Sequence, residues 1–150
     1  MGVIHCGAAI SDDPLLHRLR PAPDPEAEFF WLSGRDGRLR IQRCRDCGHY
    51  VHPPTGHCPA CDGVHCAPAV VSGRGTVHTF TVNHQPWTPG QPPFVVVIVE
   101  LEEQWGLRLT SNLVHSQIDE VRIGMPVTVG FIGRHGLWYP VFVPADGRDD

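Results

Sequence analysis

The chain has 150 residues and a formal net charge of −4 at pH 7. A chain of this length fits one domain, or two small units that share a core, and it can fold without disulfides. Its 12 basic residues are all arginines, which excludes Schiff-base chemistry on lysine and a phosphate-binding loop that needs a lysine. The negative net charge argues against a protein that coats nucleic acid.

The sequence shows no targeting or membrane-spanning segment. No apolar run approaches the roughly 18 residues that a membrane span requires. No basic segment precedes the mildly apolar start of the chain, so we do not interpret it as a signal peptide. We therefore expect a cytoplasmic protein, in which thiols stay reduced and paired cysteines favour a metal site over disulfides.

Two short helices are predicted in residues 1–36, which we expect to form a helical arm. Asp13-Pro14 and Asp24-Pro25 each place a capping side chain before a proline at the first helical position. The second predicted helix carries the apolar cluster Phe29–Leu32 and ends at Ser33-Gly34. We interpret this cluster as a plug for the core or for the seam between two units. The alternative is a docking surface for a partner chain.

Two cysteine pairs with the same spacing dominate residues 37–68. Cys44 and Cys47 are separated by two residues, and Cys58 and Cys61 repeat that spacing. The spacing lets both sulfurs of a pair turn toward one point, so the two pairs offer four thiolates to a tetrahedral zinc ion. Because four sulfurs leave no open position for water or substrate, the pattern predicts structural zinc in a zinc ribbon. Catalytic zinc and a rubredoxin-type redox iron are the alternatives.

Other residues of the predicted ribbon support or surround this site. Short strands are expected on either side of the first pair, over Leu39–Arg43 and His49–His52. Gly48 and Gly63 are expected to give the two tight turns the backbone freedom that they need. We interpret the four histidines of the ribbon as surface or supporting residues, and two further thiols have no readable role. These residues are His49, His52, His57, His65, Cys6 and Cys66.

An arginine cluster lies at the start of the ribbon, where five of the 12 basic residues fall within residues 35–45. Such a cluster fits contact with a phosphate, on nucleic acid or on coenzyme A. The alternative is a set of surface ion pairs that also offset the charge of the zinc thiolates. The members are Arg35, Arg38, Arg40, Arg43 and Arg45.

Residues 69–144 are predicted to form five strands. Alternation in the first strand predicts Val77 and Thr79 on one face and His78 and Phe80 on the other. The apolar run of the second strand predicts burial on both faces. Five strands in so short a stretch favour a small closed barrel, and the five-stranded OB-fold fits best. The predicted strands are Thr76–Val82, Phe94–Leu101, Leu107–Leu113, Val127–Ile132 and Leu137–Val143.

The segments between these strands are predicted to be irregular. Residues 84–93 contain four prolines and Trp87, which excludes a regular element. Gln117–Pro126 is expected to be a connector with one helical turn, and Pro140 is expected to confine its strand to an edge or a bulge. Residues 145–150 are predicted to be a disordered tail.

Catalysis by the isolated chain has no support in the sequence. The nucleophile elbow, the metalloprotease helix motif and the dinucleotide-binding motif are all missing from it. Glu100 and Glu102 fall on one face, but a solvated hairpin end explains them.

Six segments between residues 24 and 144 follow one another in a specific order. They are Gly37–Gly48, Pro53-Pro54, Cys58–Cys61, Ser72–Val82, Val99–Leu101 and Ile123–Val127. Together they resemble the bacterial and archaeal family first named domain of unknown function thirty-five. Paired cysteines alone are generic, so the order of the segments carries the resemblance. Thr55 departs from the pattern, because members often carry an arginine there.

The resemblance implies a mostly β protein with an N-terminal helical arm, a rubredoxin-like zinc ribbon and a C-terminal OB-fold. It also implies a non-catalytic partner of thiolase-like enzymes, in acyltransferase and acyl-CoA thiolase complexes or with lipid-transfer-protein-like aldolases that cleave steroid side chains. We therefore expect an accessory subunit that helps bind acyl-CoA in a hetero-oligomer such as a heterotetramer.

Arg38, Arg40 and Trp87 are the residues that we expect to contact the substrate or the partner. A nucleic-acid-binding module is the first alternative, since zinc ribbons and OB barrels often bind nucleic acid. A stand-alone enzyme is the second.

Overall fold

The computed structural model describes residues 20–145. Strands dominate this part of the chain, which confirms the predicted mostly β class with a zinc ribbon and a five-stranded barrel. Residues 20–145 contain one short α-helix, α1, two 3₁₀ segments and eight strands. Their bounds are α1 Glu28–Leu32, 3₁₀ Ser33–Asp36, β1 Arg40–Cys44, β2 Tyr50–Val51, β3 Cys66–Val70, β4 Arg74–Asn83, β5 Phe94–Leu101, β6 Arg108–Leu113, 3₁₀ Ile118–Glu120, β7 Pro126–Arg134 and β8 Leu137–Pro144.

The N-terminal arm differs in detail from its prediction. Asp24 does cap a turn, since its Oδ1 accepts a hydrogen bond from the Ala27 N–H at 2.8 Å, but α1 begins only at Glu28. The chain does not leave the helical conformation at Ser33-Gly34. It tightens there into a 3₁₀ helix, which ends at Gly37 with φ +77°. The helix predicted after Asp13-Pro14 lies outside the described residues.

The arm packs closely on the barrel. A side chain on Gly34 would collide with the Phe131 ring of β7 and with Cβ of Trp138 in β8. The Trp31 ring meets the Tyr139 ring edge-on, with centroids 5.6 Å apart. Phe30 is buried in the core, and Phe29 and Trp31 pack against it. The apolar cluster of the arm therefore packs into the core, as the first of the two sequence interpretations had it.

Three antiparallel strands, in the order β2-β1-β3, form the ribbon sheet. Strand β3 was not predicted. No residue of β3 is fully buried and its sequence contains Pro68, so it lacks the apolar alternation that reveals a strand. It is an edge strand, the position in a sheet that tolerates proline.

Five strands form a closed barrel in the order β4-β5-β6-β8-β7. β4 pairs with β7 to complete the ring, and β6 runs parallel to β8 at the pair Leu113–Phe142. All five predicted strands are present. The connector between β6 and β7 contains one 3₁₀ turn, Ile118–Glu120, as expected.

The predicted alternation of β4 is wrong beyond Val77. The register of β4 against β5 shifts between Val77 and Thr79, which is the signature of a bulge. Val77 is buried in the core, and Phe80 packs against the same core although alternation had placed it on the opposite face. A bulge adds one residue to one strand, so it reverses the faces that follow.

Strand β5 is buried on one face rather than on both. Val95, Val97, Val99 and Leu101 are buried, and the residues between them are only partly covered. The apolar run therefore overstated the burial of this strand, because β-branched residues also suit a half-covered face.

The sequence predicted that Pro140 would confine its strand to an edge or a bulge. In the structure, Pro140 lies in β8, which has β6 on one side and β7 on the other in the closed barrel. It pairs with Phe131 of β7, while the parallel ladder to β6 has a single register pair, Leu113–Phe142, within the described residues. The Ser111 hydroxyl on β6 donates a hydrogen bond to the Pro140 carbonyl at 2.7 Å. A side chain thus bridges the two strands where proline cannot donate.

One hydrophobic core spans the arm, the ribbon and the barrel. Phe30 of α1, Leu39 ahead of β1 and Ile41 of β1 are buried in the same cluster as Val97 and Phe142 of the barrel. No helix among residues 20–145 is long and apolar enough to cross a membrane. All but the first residue of the tail predicted at 145–150 lies outside the described part of the chain.

Candidate metal centre

The four paired cysteines converge on one point. All four sulfur atoms lie within 4.8 Å of one another. The Cys44 and Cys61 sulfurs are 3.6 Å apart, as are those of Cys47 and Cys58. Tetrahedral zinc with Zn–S bonds of about 2.3 Å requires sulfurs about 3.8 Å apart. The site therefore fits zinc.

The first turn of the site is built as the spacing predicted. The Gly48 N–H donates to the Cys44 carbonyl at 3.0 Å, and the Cys44 N–H donates to the His49 carbonyl at 2.9 Å. Gly48 has φ +79°, which other residues rarely adopt. Arg43 braces this turn, since its Nε donates to the Gly48 carbonyl at 2.9 Å.

The second turn uses its glycine differently from the prediction. Its hydrogen bonds repeat the first turn, from the Asp62 N–H to the Cys58 carbonyl and from the Cys58 N–H to the Gly63 carbonyl, each at 2.8 Å. The positive φ of +63° belongs to Asp62 and not to Gly63. Gly63 is needed for space instead, because a Cβ there would lie 2.5 Å from Asp46 Oδ2 and 3.1 Å from the Cys61 sulfur.

The four thiols compete to carry negative charge. The Cys47 N–H lowers the pKa of Cys44 to about 7. The Gly63 N–H acts in the same direction on Cys61, but the Cys47 and Cys44 sulfurs outweigh it and raise the pKa of Cys61 to about 12. A divalent cation relieves this competition, since it stabilises all four thiolates together.

The structure places two residues of the ribbon more closely than the sequence could. His52 is not a surface residue of the ribbon, because its ring packs on Phe30 with centroids 4.9 Å apart, and burial lowers its pKa. Cys66, left without a role, is the cross-strand partner of Cys44 in the β1–β3 ladder. The sequence did not reveal the position of Cys66 opposite Cys44, because strand β3 was not predicted.

The three residues expected to contact substrate or partner lie on different elements. Two guanidinium nitrogens of Arg40, in β1, donate hydrogen bonds to the two carboxylate oxygens of Asp36 at 2.9 and 2.7 Å. These bonds lower the pKa of Asp36 to about 2. Arg38 is exposed and precedes β1, and Trp87 is 75% exposed in the β4–β5 loop. Arg38 is therefore the more available cation of the two arginines, because Arg40 already has an anionic partner.

Comparison with known proteins assigns both parts of the chain to one family. The family model described as "ChsH2, rubredoxin-like zinc ribbon domain" matches residues 31–65, and "ChsH2, C-terminal OB-fold domain" matches residues 69–131. A solved structure described as "Ltp2-ChsH2(DUF35) aldolase" superposes with a TM-score of 0.76 at 38% identity. The match covers 85% of this chain and 100% of that one. The chain belongs to the DUF35 family. The predicted resemblance and the predicted structural zinc are thereby confirmed.

Longer relatives of this DUF35 protein carry enzyme names. The "Probable enoyl-CoA hydratase alpha subunit" of Thermomonospora curvata is 38% identical over 91% of this chain and 43% of its own length. The "3-oxo-4,17-pregnadiene-20-carboxyl-CoA hydratase alpha subunit" of Mycobacterium tuberculosis is 41% identical over 76% of this chain and 36% of its own length. The chain thus spans less than half the length of these two relatives.

Sequence reasoning missed two further surfaces of this DUF35 protein. A cavity of about 370 Å³ lies where the arm, the ribbon and the barrel meet, and Trp31, His52, Arg108 and Tyr139 are among its lining residues. Trp105, in the β5–β6 turn, is 88% exposed. The sequence did offer a signal for Trp105, which stands beside a glycine in a predicted turn. It offered none for the cavity, because the lining residues of the cavity come from three separate parts of the chain.

Proposed function

We propose that this DUF35 protein is a non-catalytic accessory subunit. It binds a thiolase-fold or lipid-transfer-protein-like catalytic subunit and helps bind that partner's acyl-CoA substrate. The observation that carries the proposal is the match over the full length of a chain in the Ltp2-ChsH2(DUF35) aldolase. The acyl-CoA names of the two longer relatives support the substrate class.

The metal centre supports the absence of catalysis by the chain itself. Its four sulfurs converge within 4.8 Å of one another, so with zinc bound they would fill a tetrahedral shell and would leave no position for water or substrate. When bound, zinc supplies the cross-link that holds the two cysteine turns together. The groups that make and break bonds would then belong to the partner, in retro-aldol cleavage of a steroid-CoA side chain or in acyl transfer.

Exposed side chains suggest how the two roles are divided within the chain. The barrel, with Trp87 and Trp105 exposed on its loops, would provide the face that docks the partner. Tryptophan is enriched at the centres of protein interfaces. The ribbon would support the substrate-binding end of the complex. Arg38, the more available of the two arginines, would bind a phosphate of coenzyme A.

The test is co-expression with a thiolase-like or lipid-transfer-protein-like subunit from the same organism. We expect the two chains to elute together, and the partner's turnover of acyl-CoA to depend on this chain. Arg38→Glu is expected to raise the KM for acyl-CoA, while Arg122→Glu, a matched change at an exposed site, leaves it unchanged. Separate elution with a partner that is fully active alone would refute the proposal.

A further inference from the structure

Cys66 and the zinc ligand Cys44 face each other across the ribbon sheet. Cys66 is the first residue of β3 and Cys44 the last of β1, and the two are register partners. Directly opposed residues of antiparallel strands project to the same face of the sheet. The Cys66 thiol therefore points to the side on which Cys44 meets the other three sulfurs.

The spacing of this pair fits a disulfide. Beyond it, the Arg45 N–H donates to the His65 carbonyl at 2.7 Å. Hydrogen-bonded pairs alternate along the ladder, so Cys44 and Cys66 form a non-hydrogen-bonded pair, with Cα atoms about 4.5 Å apart. Disulfides span Cα separations of about 4.4–6.8 Å.

The two thiols differ in their access to solvent. Cys44 is buried with 1% of its surface exposed, whereas Cys66 is only half-buried. Cys66 lines an open groove of about 570 Å³ between α1 and the ribbon, together with Phe29, Gln42 and Thr55. Cys66 is therefore the more accessible of the two thiols to a small oxidant.

We propose that Cys66 is a peroxide-oxidation site whose product is a disulfide with Cys44, formed at the expense of a zinc ligand. Hydrogen peroxide oxidises the Cys66 thiol to a sulfenic acid and is reduced to water. The Cys44 thiolate then attacks the Cys66 sulfur, the S–S bond forms, and the hydroxyl group leaves as a second water after taking up a proton. Two sulfurs lose two electrons in total, which the peroxide accepts. Zinc keeps three sulfur ligands and is released more easily.

The experiment treats the zinc-loaded full chain with hydrogen peroxide. A chromogenic chelator follows zinc release, and mass spectrometry of non-reduced peptides identifies the link. We expect a Cys44–Cys66 cross-linked peptide in the wild type. In Cys66→Ser we expect loss of that peptide and zinc release slower by about tenfold or more, because the wild-type pair is already in position to react.

Two controls separate this chemistry from general damage. Cys6→Ser removes a thiol outside the described residues and is expected to release zinc at the wild-type rate. Cys66→Ala repeats the test without a hydroxyl, and the zinc content of each variant before oxidation shows that its ribbon is folded. The proposal is wrong if folded Cys66 variants release zinc as fast as the wild type, or if the cross-link joins only the four ligand cysteines. None of these readouts depends on the catalytic partner.

Discussion

At the scale of single residues, the metal centre depends on close approach as much as on its ligands. Gly63 shows this, because its backbone conformation is open to any residue while its missing side chain leaves room for Asp46 and the Cys61 sulfur. Asp46 is also held by His65, whose Nδ1 lies 3.2 Å from its carboxylate. A wider residue at this position must therefore displace a zinc ligand or break this pair.

Replacement of Gly63 by alanine is expected to weaken the metal centre. Crowding of this kind costs about 1–3 kcal/mol, so we expect a lower thermal midpoint and faster loss of zinc to a chelator. Gly56→Ala is the matched control, since a Cβ there meets only Glu26 Oε1 at an ordinary 3.6 Å. Equal zinc retention in both variants would contradict this account of Gly63.

At the scale of elements, one glutamine adds hydrogen bonds between the barrel and the edge of the ribbon sheet to the core that the two parts share. Gln104, in the β5–β6 turn, accepts a hydrogen bond from the Tyr50 N–H at 2.8 Å and donates to the Tyr50 carbonyl at 3.0 Å. Tyr50 opens β2, whose backbone is otherwise paired on the side of β1. The side-chain amide of Gln104 thus pairs with the free backbone edge of β2 in the way that a neighbouring strand would.

Gln104→Ala is expected to destabilise the chain through the ribbon. Loss of two partly buried hydrogen bonds costs about 1–3 kcal/mol, and hydrogen exchange should accelerate at the Tyr50 amide. Gln85→Ala is the matched control. It removes the same type of side chain in the exposed β4–β5 loop, where, within the described residues, the Gln85 amide donates only to the neighbouring Pro86 carbonyl. Unchanged exchange at Tyr50 in Gln104→Ala would show that the pairing adds nothing.

The elements also show what sequence could and could not reveal. The spacing of four cysteines located the metal centre, because sequence neighbours in a tight turn are neighbours in space. Strand β3 and the bulge beyond Val77 escaped, because an edge strand needs no apolar face and a bulge leaves no periodic trace. The role of Gly63 depends on Asp46, a contact that the spacing pattern does not contain.

At the scale of the whole molecule, zinc supports more than the ribbon. Leu39 and Ile41 lie just ahead of the first cysteine turn and are fully buried with barrel residues. Ile41 also pairs with Ala69 of β3, which follows the second turn. Loss of the metal therefore loosens strands that are part of the common core.

Removal of zinc is expected to lower the stability of the entire chain in one cooperative transition. Binding energy available only to the folded state is folding energy, so Cys58→Ser or a strong chelator should shift the melting curves of all probes together. Near-ultraviolet circular dichroism reports on packed aromatic rings, among them Trp138 of β8, and hydrogen exchange distinguishes the ribbon amides from the barrel amides. Two separate transitions, with the barrel unaffected, would contradict a shared core.

The shared core also bears on how this arrangement is inherited. The two family segments meet between residues 65 and 69, yet Leu39 and Ile41 from the first are buried among residues of the second. A recombination event that separated the segments would leave these side chains without their packing partners and open a cavity in the barrel. We therefore expect the ribbon and the barrel to be inherited together as one unit.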